Sequence, residues 1–340
     1  MPRYCIVPPY MLRSILQNGT AAQQSKAWAT LTASEQIRGQ RRVLGALAQL
    51  AVAAPGRKRR TIYDARNGYE LPGRLVRSEG AQRTKDAAVN EAFNGSGATY
   101  DFFWKVFDRN SVDGRGMRLD STVHYGESYD NAFWNGHQMV YGDGDGEIFL
   151  PFTKALDVIA HELSHGVMQC EANLAYHGQS GALNESFSDV FGSLTRQFRL
   201  RQTALEADWL VGKGLFMPGI KAKAIRSMKA PGTAYDDPVL GRDPQPGHMS
   251  GYVTTAEDNG GVHINSGIPN RAFYELALRL KGNAWEKAGR IWYRTMTQEL
   301  RQNSNFHEAM NLTVLAAGEL FGRNSREQNA AREAWAEVGL

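Results

Sequence analysis

The chain has 340 residues, of which 42% are hydrophobic and 22% are charged, and a formal net charge of +4. These proportions are typical of a globular protein and exclude disordered and collagen-like chains, and the length suggests two or more lobes. No apolar run reaches the roughly 18 residues that a membrane span needs, so we expect no membrane span. The two cysteines, Cys5 and Cys170, exclude a disulfide framework. We expect Cys170 to be a small core residue.

The charge is distributed unevenly along the chain. Residues 1–60 contain ten Lys and Arg and one acidic residue, whereas residues 61–340 contain 29 basic and 34 acidic residues. A basic arm on an acidic body can bind nucleic acid or a membrane surface, or it can dock on the body itself. The basic residues are scattered among apolar helix positions, which favours docking. We therefore expect no nucleic-acid partner.

In chain order, residues 1–52 are predicted to be a separate segment. It begins extended through Pro8 and Pro9, because proline favours extended geometry, and continues with predicted helices over residues 21–28 and 34–54. A Pro-Gly pair and four adjacent cations then span residues 55–60, which is typical of an exposed joint.

The remaining chain has an α+β pattern. Residues 53–155 are rich in Gly, Asn, Asp and aromatic residues, and short apolar runs at 102–107 and 121–125 predict strands, with one helix over 86–93. Residues 156–340 are mainly helical. A helix over 153–168 is apolar almost all round and is therefore predicted to be buried. Amphipathic helices are predicted over 271–279, 285–300, 306–320 and 326–338.

The buried helix carries the pattern of a metal site. His161 and His165 are four residues apart and share one helix face, which is the spacing that lets both bind one zinc ion. Glu162 lies next to the first histidine and can reach a water molecule on the metal. Twenty residues beyond His165, Glu185 can return on a second helix as the third ligand, and Asp189 can accept the outer N–H of a ligand histidine.

Five separated blocks together resemble the thermolysin-like zinc metalloproteases of peptidase family M4. They lie at residues 131–136, 161–165, 181–185, 224–228 and 258–267. The opening Cys-Ile-Val-Pro-Pro-Tyr resembles the short propeptide of the protealysin subgroup. The resemblance implies a two-lobed zincin fold, with a β-rich N-terminal lobe over 53–155, and a zinc helix and α-helical C-terminal lobe over 156–340. It also implies that residues 1–52 are an inhibitory propeptide.

The resemblance also implies a role for each matching residue. One catalytic zinc ion is held by His161, His165 and Glu185, and Glu162 is the general base. Tyr176 and His263 donate hydrogen bonds to the oxyanion, although a core tyrosine and a structural histidine are the alternatives. The substrate is bound by Asn131, Ala132 and Arg226, and its first residue after the cleaved bond by Phe149, Phe152, Val158 and Ile225. The supporting residues are Asp189, Asp258 and Asn184. For Arg226, a surface ion pair is the alternative.

The expected protein is a neutral endopeptidase made as a proenzyme. We expect protein and peptide substrates with a bulky apolar residue after the cleaved bond, and activation by propeptide cleavage between residues 47 and 62. Cys5 either binds the zinc of the proenzyme through its thiolate or is an ordinary residue of a segment that blocks the cleft by packing. The alternatives are a zinc-binding protein that no longer hydrolyses peptides and a peptidase of narrow specificity.

Calcium binding is not expected at the family's double calcium site. Asp157 and Asp208 occupy two of its ligand positions, but Arg196, Leu210 and Lys213 occupy others. Two cations there would repel calcium and could pair with the two carboxylates instead. From the family we also expect a secreted monomer. No stretch is typical of a secretory signal, so non-standard export and cytoplasmic accumulation are the alternatives.

Overall fold

The N-terminal segment consists of an extended stretch and two helices. A computed structural model describes residues 5–44 and 54–340 of the chain. Helix α1 spans Pro9–Asn18 and begins at a proline, which suits the first turn of a helix, and helix α2 spans Ala21–Leu44. The helices predicted over residues 21–28 and 34–54 are joined in α2, which continues through residues 29–33 because neither Gly nor Pro interrupts the chain there. The end of the second predicted helix and the boundary at residue 52 lie outside the described residues.

The N-terminal lobe contains a five-stranded mixed sheet with the strand order β2-β1-β3-β5-β4. The strands are β1 (Arg60–Asp64), β2 (Arg74–Ser78), β3 (Leu119–Val123), β4 (Ala132–Trp134) and β5 (Met139–Tyr141). The outer pairs β1–β2 and β4–β5 are antiparallel, and β3 is parallel to both β1 and β5. Strand β4 lies at the edge of the sheet, so its outer backbone groups are available to pair with another extended segment.

Helix α3 spans Ala87–Phe107 and crosses the sheet. The prediction of a strand over residues 102–107 was therefore wrong. A short aromatic run fits a buried helix as well as a strand, and packing decides between them. Here Phe102 and Phe103 are buried, and the ring of Phe103 lies 5.6 Å from that of Phe191 on a later helix.

A half-buried histidine ties the start of α3 to the sheet. Asp86 caps α3 by accepting a hydrogen bond from Val89 N, and its other oxygen lies 2.8 Å from His124 Nε2. Asp143 Oδ2 lies 2.7 Å from His124 Nδ1. The bond to Asp143, aided by Asp86 and opposed by partial burial, raises the pKa of His124 to about 9.

Two long helices form the centre of the molecule. Helix α4 spans Leu156–Cys170 and helix α5 spans Gly178–Leu200. They approach closely at Gly192, where a Cβ atom would lie 2.5 Å from the carbonyl oxygen of Asp157 and 3.2 Å from His161 N. Glycine is therefore needed at this contact. Cys170, at the end of α4, is exposed, so the prediction of a core cysteine was wrong.

The C-terminal lobe is mostly helical. Its helices are α6 (Asp258–Asn265), α7 (Gly267–Leu280), α8 (Ala288–Arg294), α9 (Phe306–Phe321) and α10 (Arg326–Ala336). A π-helical turn, Thr295–Glu299, follows α8, so the predicted helix over 285–300 is interrupted. Two-residue strands precede these helices: β6 (Leu210–Val211), β7 (Arg226–Ser227), β8 (Asp236–Asp237) and β9 (Gly241–Arg242). Among the helices in the described ranges, none has both the length and the hydropathy needed to cross a bilayer.

Candidate active site

Two histidines and a glutamate meet where α4 faces α5. His161 and His165 lie one turn apart, with their Nε2 atoms 3.0 Å from each other. Glu185 of α5 places Oε1 3.4 Å from His165 Nε2 and Oε2 3.6 Å from His161 Nε2. All three side chains are fully buried. Within residues 5–44 and 54–340, this is the group of His, Cys, Asp and Glu side chains that could hold a metal ion.

The three side chains fit a zinc ion. Ligand atoms about 2.0–2.1 Å from a tetrahedral zinc ion are about 3.3 Å apart, close to the observed separations. Oε2 of Glu185 makes no hydrogen bond among the described residues, although it is buried. A buried acceptor of this kind needs a cationic or hydrogen-bonding partner. The pKa of His165 is well below its usual value, because of burial and then the neighbouring His161, so the ring is neutral as a ligand must be.

The outer nitrogens of both histidines are held by side chains of α5. His161 Nδ1 lies 2.8 Å from Asp189 Oδ1. His165 Nδ1 lies 2.8 Å from Asn184 Oδ1 and 2.9 Å from Ser188 Oγ. Such contacts fix the tautomer and the orientation of a ligand histidine. Ser188 was not predicted, although its place one turn from Asn184 on the same helix was a usable signal.

Asp189 also forms a fully buried ion pair with Arg226. The guanidinium donates to both carboxylate oxygens, from Nε and from Nη2, each at 2.7 Å. Asn270 of α7 donates a further hydrogen bond to Asp189 Oδ2 at 2.8 Å. Burial alone would raise the pKa of Asp189, but the charge of Arg226 outweighs it and holds that pKa well below its usual range. Arg226 is 0% exposed, so the surface ion pair is excluded.

Glu162 is the remaining polar residue of α4 at this place. It is fully buried, and its Oε2 accepts a hydrogen bond from the backbone N of Trp134 at 2.9 Å. Trp134 belongs to the edge strand β4, so this bond joins the helix to the sheet. The contact was not predicted, because a backbone donor leaves no residue-type signal in the sequence.

Tyr176 and His263 complete the site from the C-terminal side. The Tyr176 hydroxyl donates to Glu185 Oε1 and lies 3.2 Å from His263 Nε2. His263 Nδ1 lies 2.6 Å from Asp258 Oδ1. Burial opposes protonation of His263, but Asp258 and then Glu185 raise its pKa to about 9. Burial and then Glu185 raise the pKa of Tyr176 well above its usual value, so both residues are hydrogen-bond donors at neutral pH.

A left-handed turn brings Asp258 and His263 together. Residues 259–261 have positive φ, with values of +82° at Gly260 and +74° at Gly261, which glycine adopts without strain. The turn lets Asp258 accept a second hydrogen bond, from the backbone N of His263 at 2.8 Å. The carboxylate therefore holds both the ring and the backbone of the histidine.

Two family models match almost the whole chain beyond the N-terminal segment. One describes the catalytic domain of thermolysin metallopeptidases and matches residues 49–169, and the other describes their α-helical domain and matches residues 172–340. The chain belongs to the thermolysin family of metallopeptidases. This confirms the zinc metalloprotease family and the α+β fold that the sequence predicted.

Full-length relatives of this thermolysin-family chain are known. An extracellular metalloprotease of Pectobacterium carotovorum subsp. carotovorum is 51% identical over 340 residues, which cover 100% of this chain and 97% of the relative. Protease PrtS of Photorhabdus sp. (strain Az29) is 47% identical, covering 98% and 91% of the two chains. The structure of the protealysin precursor, a metalloproteinase from Serratia proteamaculans, is similar with a TM-score of 0.91 and 52% identity, covering 98% of this chain and 99% of that one. The precursor form confirms the predicted protealysin-like subgroup.

In this thermolysin-family chain, residues 6 and 7 lie along the start of the edge strand β4 and Asn131, the residue before it. Ile6 N donates to Ala132 O at 3.2 Å. Val7 N donates to Asn131 Oδ1 at 2.9 Å, and Asn131 Nδ2 donates to Val7 O at 3.2 Å. The segment therefore runs antiparallel to β4, with Ile6 beside Ala132 and Val7 beside Asn131.

The carbonyl groups of the same segment face the polar residues of the site. The carbonyl oxygen of Cys5 lies 3.2 Å from His263 Nε2, and that of Ile6 accepts a hydrogen bond from Arg226 Nη1 at 3.0 Å. The Cys5 side chain lies in a small apolar cluster with Ala33, Tyr125, Tyr129, Phe133 and Val140. Cys5 does not belong to the group of residues that could hold the metal ion.

The residues expected to line an apolar substrate pocket share one core with Ile6. Ile6 is 0% exposed. The predicted lining residues are buried with it, namely Phe149, Phe152, Val158 and Ile225.

Cations occupy the place of the double calcium site. Arg196 donates to both oxygens of Asp208, at 2.9 and 3.0 Å, and lies 3.8 Å from Asp157. Lys213 donates to Asp208 at 3.0 Å, and Leu210 offers its backbone carbonyl oxygen to Arg196. Burial alone would raise the pKa of Asp208, but the hydrogen bonds from Arg196 and Lys213 outweigh it and lower that pKa. Basic side chains therefore contact the carboxylate oxygens that a calcium ion would need as ligands.

Proposed function

We propose that the chain is the proenzyme of a zinc endopeptidase and that its N-terminal segment inhibits it by occupying the cleft in the manner of a substrate. The observation that carries this proposal is the position of the Cys5–Ile6 peptide. Its carbonyl oxygen lies beside His263, and the next carbonyl is bound by Arg226. The peptide therefore lies where a scissile bond would be presented to Glu162.

The proposed chemistry assigns one task to each group. Zinc bound at the histidine and glutamate side chains supplies a Lewis acid and a water molecule of lowered pKa. Glu162 takes a proton from the attacking water and passes it to the leaving nitrogen. Tyr176 and His263 donate hydrogen bonds to the oxygen on which negative charge develops, and Asp258 keeps the His263 ring in place. Asn131 and Arg226 bind the backbone of the substrate residues that follow the cleaved bond.

The preferred substrate has a bulky apolar residue directly after the cleaved bond. Ile6 occupies this position of the segment, and its side chain is 0% exposed. We expect a peptide with Leu or Phe there to be cleaved about 100-fold faster than one with Gly, since burial of such a side chain contributes about 1.5–3 kcal/mol. Equal kcat/KM values for the two peptides would contradict the assignment.

We further propose that Cys5 inhibits through its backbone, with its side chain in an apolar subsite and not on the metal. An unprocessed Cys5→Ser precursor should then be as inactive as the unprocessed wild type and should bind zinc equally well. Activity of this precursor would instead support a thiolate ligand.

Activation proceeds by cleavage between the segment and the lobes. The predicted window of residues 47–62 lies partly outside the described residues, and its end falls in β1, where Ile62 is buried and paired with two strands. Cleavage therefore takes place before residue 60, and N-terminal sequencing of the processed form tests this. The relative from Pectobacterium is named an extracellular metalloprotease, and we propose secretion for this chain also. We propose a monomer, and its mass in solution tests this.

The decisive experiment compares the processed wild type with Glu162→Gln in the hydrolysis of a quenched fluorescent peptide, with zinc content measured for both. Activity should be lost in the variant while zinc is retained. Glu286→Gln removes the same charge from an exposed position and should be fully active. Absence of activity in a zinc-loaded, processed wild type would overturn the proposal and favour a non-hydrolytic protein.

A further inference from the structure

Three residues of the N-terminal lobe form an acidic patch beside the cleft: Asp130, Asp145 and Glu147. In the structure, Lys26 of α2 occupies this patch. Its Nζ lies 2.7 Å from Glu147 Oε1 and 3.3 Å from the backbone carbonyl oxygen of Asp145. The roles assigned above do not use the patch, although it adjoins the substrate-binding residue Asn131.

Asp130 is a buried acceptor at the centre of the patch. It is 1% exposed beneath α2, and its backbone N donates to Thr30 Oγ1 at 3.1 Å. Its Oδ1 makes no hydrogen bond among the described residues. Burial and then the negative charge of Asp145 raise the pKa of Asp130 well above its usual value. A hydrogen bond from the Asp145 backbone and the positive charge of Lys26 lower this pKa by a smaller amount. Helix α2 therefore covers the Asp130 carboxyl group but donates no hydrogen bond to its Oδ1.

The carboxylate of Asp145 is used within its own turn. Its Oδ1 accepts hydrogen bonds from the backbone N atoms of residues 147, 148 and 149, at 3.0, 2.7 and 2.9 Å. The groups available to an incoming cation include the Glu147 carboxylate, the Asp145 carbonyl and the Asp130 carboxyl.

The direction of the bound segment gives the substrate position that faces this patch. Ile6 lies beside Ala132 and Val7 beside Asn131, so the next residue of an extended chain lies beside Asp130. In the proenzyme this residue is Pro8, after which the chain turns into α1. A proline has no side chain that could reach the carboxylates, and the cation comes from α2 instead.

We propose that, in the processed enzyme, the acidic patch binds a Lys or Arg side chain of a protein substrate at the third residue after the cleaved bond. Lys26 holds the same place in the proenzyme. This inference rests on the proposed function, because it requires the cleft to be vacated by the segment and used for hydrolysis.

The test uses the processed enzyme and three quenched peptides that differ only in having Lys, Gln or Glu at the third residue after the cleaved bond. The Lys peptide should have a kcat/KM about fivefold above that of the Gln peptide, as expected for one partly exposed ion pair, and the Glu peptide should be the poorest. The preference should shrink at high salt, since exposed charges are screened. Mass spectrometry confirms that all three peptides are cut at the same bond.

Two variants locate the preference. Glu147→Gln should remove most of the preference for Lys while leaving kcat/KM for the Gln peptide unchanged, and Asp130→Asn should act in the same direction. Glu286→Gln, with the same charge change at an exposed position of the C-terminal lobe, should retain the full preference. Equal rates for the Lys and Gln peptides, or a preference that survives both variants, would overturn the inference. If no peptide is cleaved, the proposed function itself fails.

Discussion

Asp189 contacts both the proposed metal ligand His161 and the proposed substrate-binding residue Arg226, so Asp189→Asn should impair both proposed roles. Its Oδ1 lies 2.8 Å from His161 Nδ1 and accepts from Arg226 Nη2, and its Oδ2 accepts from Arg226 Nε and Asn270 Nδ2. An asparagine has one oxygen and one NH₂ group. Whichever way the amide is turned, its NH₂ group faces donors, and the guanidinium is left without a counter-charge.

The expected losses are large. Breaking a buried ion pair by removing one partner costs about 3–5 kcal/mol, out of the roughly 5–15 kcal/mol that stabilises a typical protein. Loss of the carboxylate behind a ligand histidine typically weakens metal binding by about 10–100-fold. The two effects are separable, because metal binding adds its own stabilisation to the folded state.

The assay measures urea unfolding without metal and zinc affinity by competition with a chelator, both in a Glu162→Gln background that prevents self-digestion. Asp208→Asn is the matched control, since Asp208 pairs with Arg196 and Lys213 at a partly exposed place, where such pairs contribute about 0–1 kcal/mol. An Asp189→Asn variant within about 1 kcal/mol of its parent and with unchanged zinc affinity would refute the reasoning.

Three further predictions use the same inactive background. A calcium-selective chelator should leave the melting temperature unchanged, because Arg196 already binds Asp208; a large calcium-dependent rise would contradict this. His124→Asn keeps a residue type that tolerates the local φ of 55° but removes a cation between two carboxylates. Since the folded pKa of about 9 exceeds the unfolded value of about 6.5, the variant should lose about 3 kcal/mol of stability below that lower pH. The loss should vanish as the pH rises through 9, and an equal loss in unfolding curves on both sides of this range would contradict it. Gly192→Ala should separate α4 from α5 at His161. We expect a loss of about 1–3 kcal/mol in the free energy of unfolding, although Ala favours helix, and a lower zinc affinity. A stabilised variant would contradict this.

The meeting of the three proposed metal ligands could be predicted from the sequence because it follows local rules. His161 and His165 share a face by helical spacing alone, and the return helix places Glu185 within reach. The contacts of Asn270 and Trp134 could not be predicted. Asn270 is 81 residues from Asp189 along the chain, and Trp134 acts through its backbone. Only the packing of the lobes brings these groups to the site.

The wrong prediction of a strand at residues 102–107 shows that long-range packing also limits what can be predicted of the fold. A run of aromatic residues specifies burial but not backbone geometry, because both a strand and a buried helix satisfy it. What decides here is the helix cap of Asp86 together with the contact of Phe103 with Phe191. The second of these comes from a helix almost ninety residues later.

Charge complementarity was predicted from the sequence as the basis of docking. It contributes little to the free energy that holds the N-terminal segment on the lobes. The ion pairs that join its described part to the lobes, Arg13 with Glu257 and Lys26 with Glu147, are exposed or partly exposed. Each is therefore worth about 0–1 kcal/mol. The buried apolar side chains of the segment include Ile6, Val7, Met11, Leu12 and Ile15.

At about 1.5–3 kcal/mol for each buried side chain, these five together contribute on the order of 10 kcal/mol, an amount that salt does not screen. Under the proposed function, this difference lets one segment both inhibit the enzyme and be released from it. Apolar burial and backbone pairing with β4 depend on the segment remaining attached and correctly placed, so cleavage of the joint weakens them by turning an intramolecular contact into an intermolecular one. The partly exposed cation of Lys26 contributes little to holding the segment, and its role lies at the acidic patch. In the use proposed for the acidic patch, Lys26 occupies the place that a substrate cation takes after the segment has left.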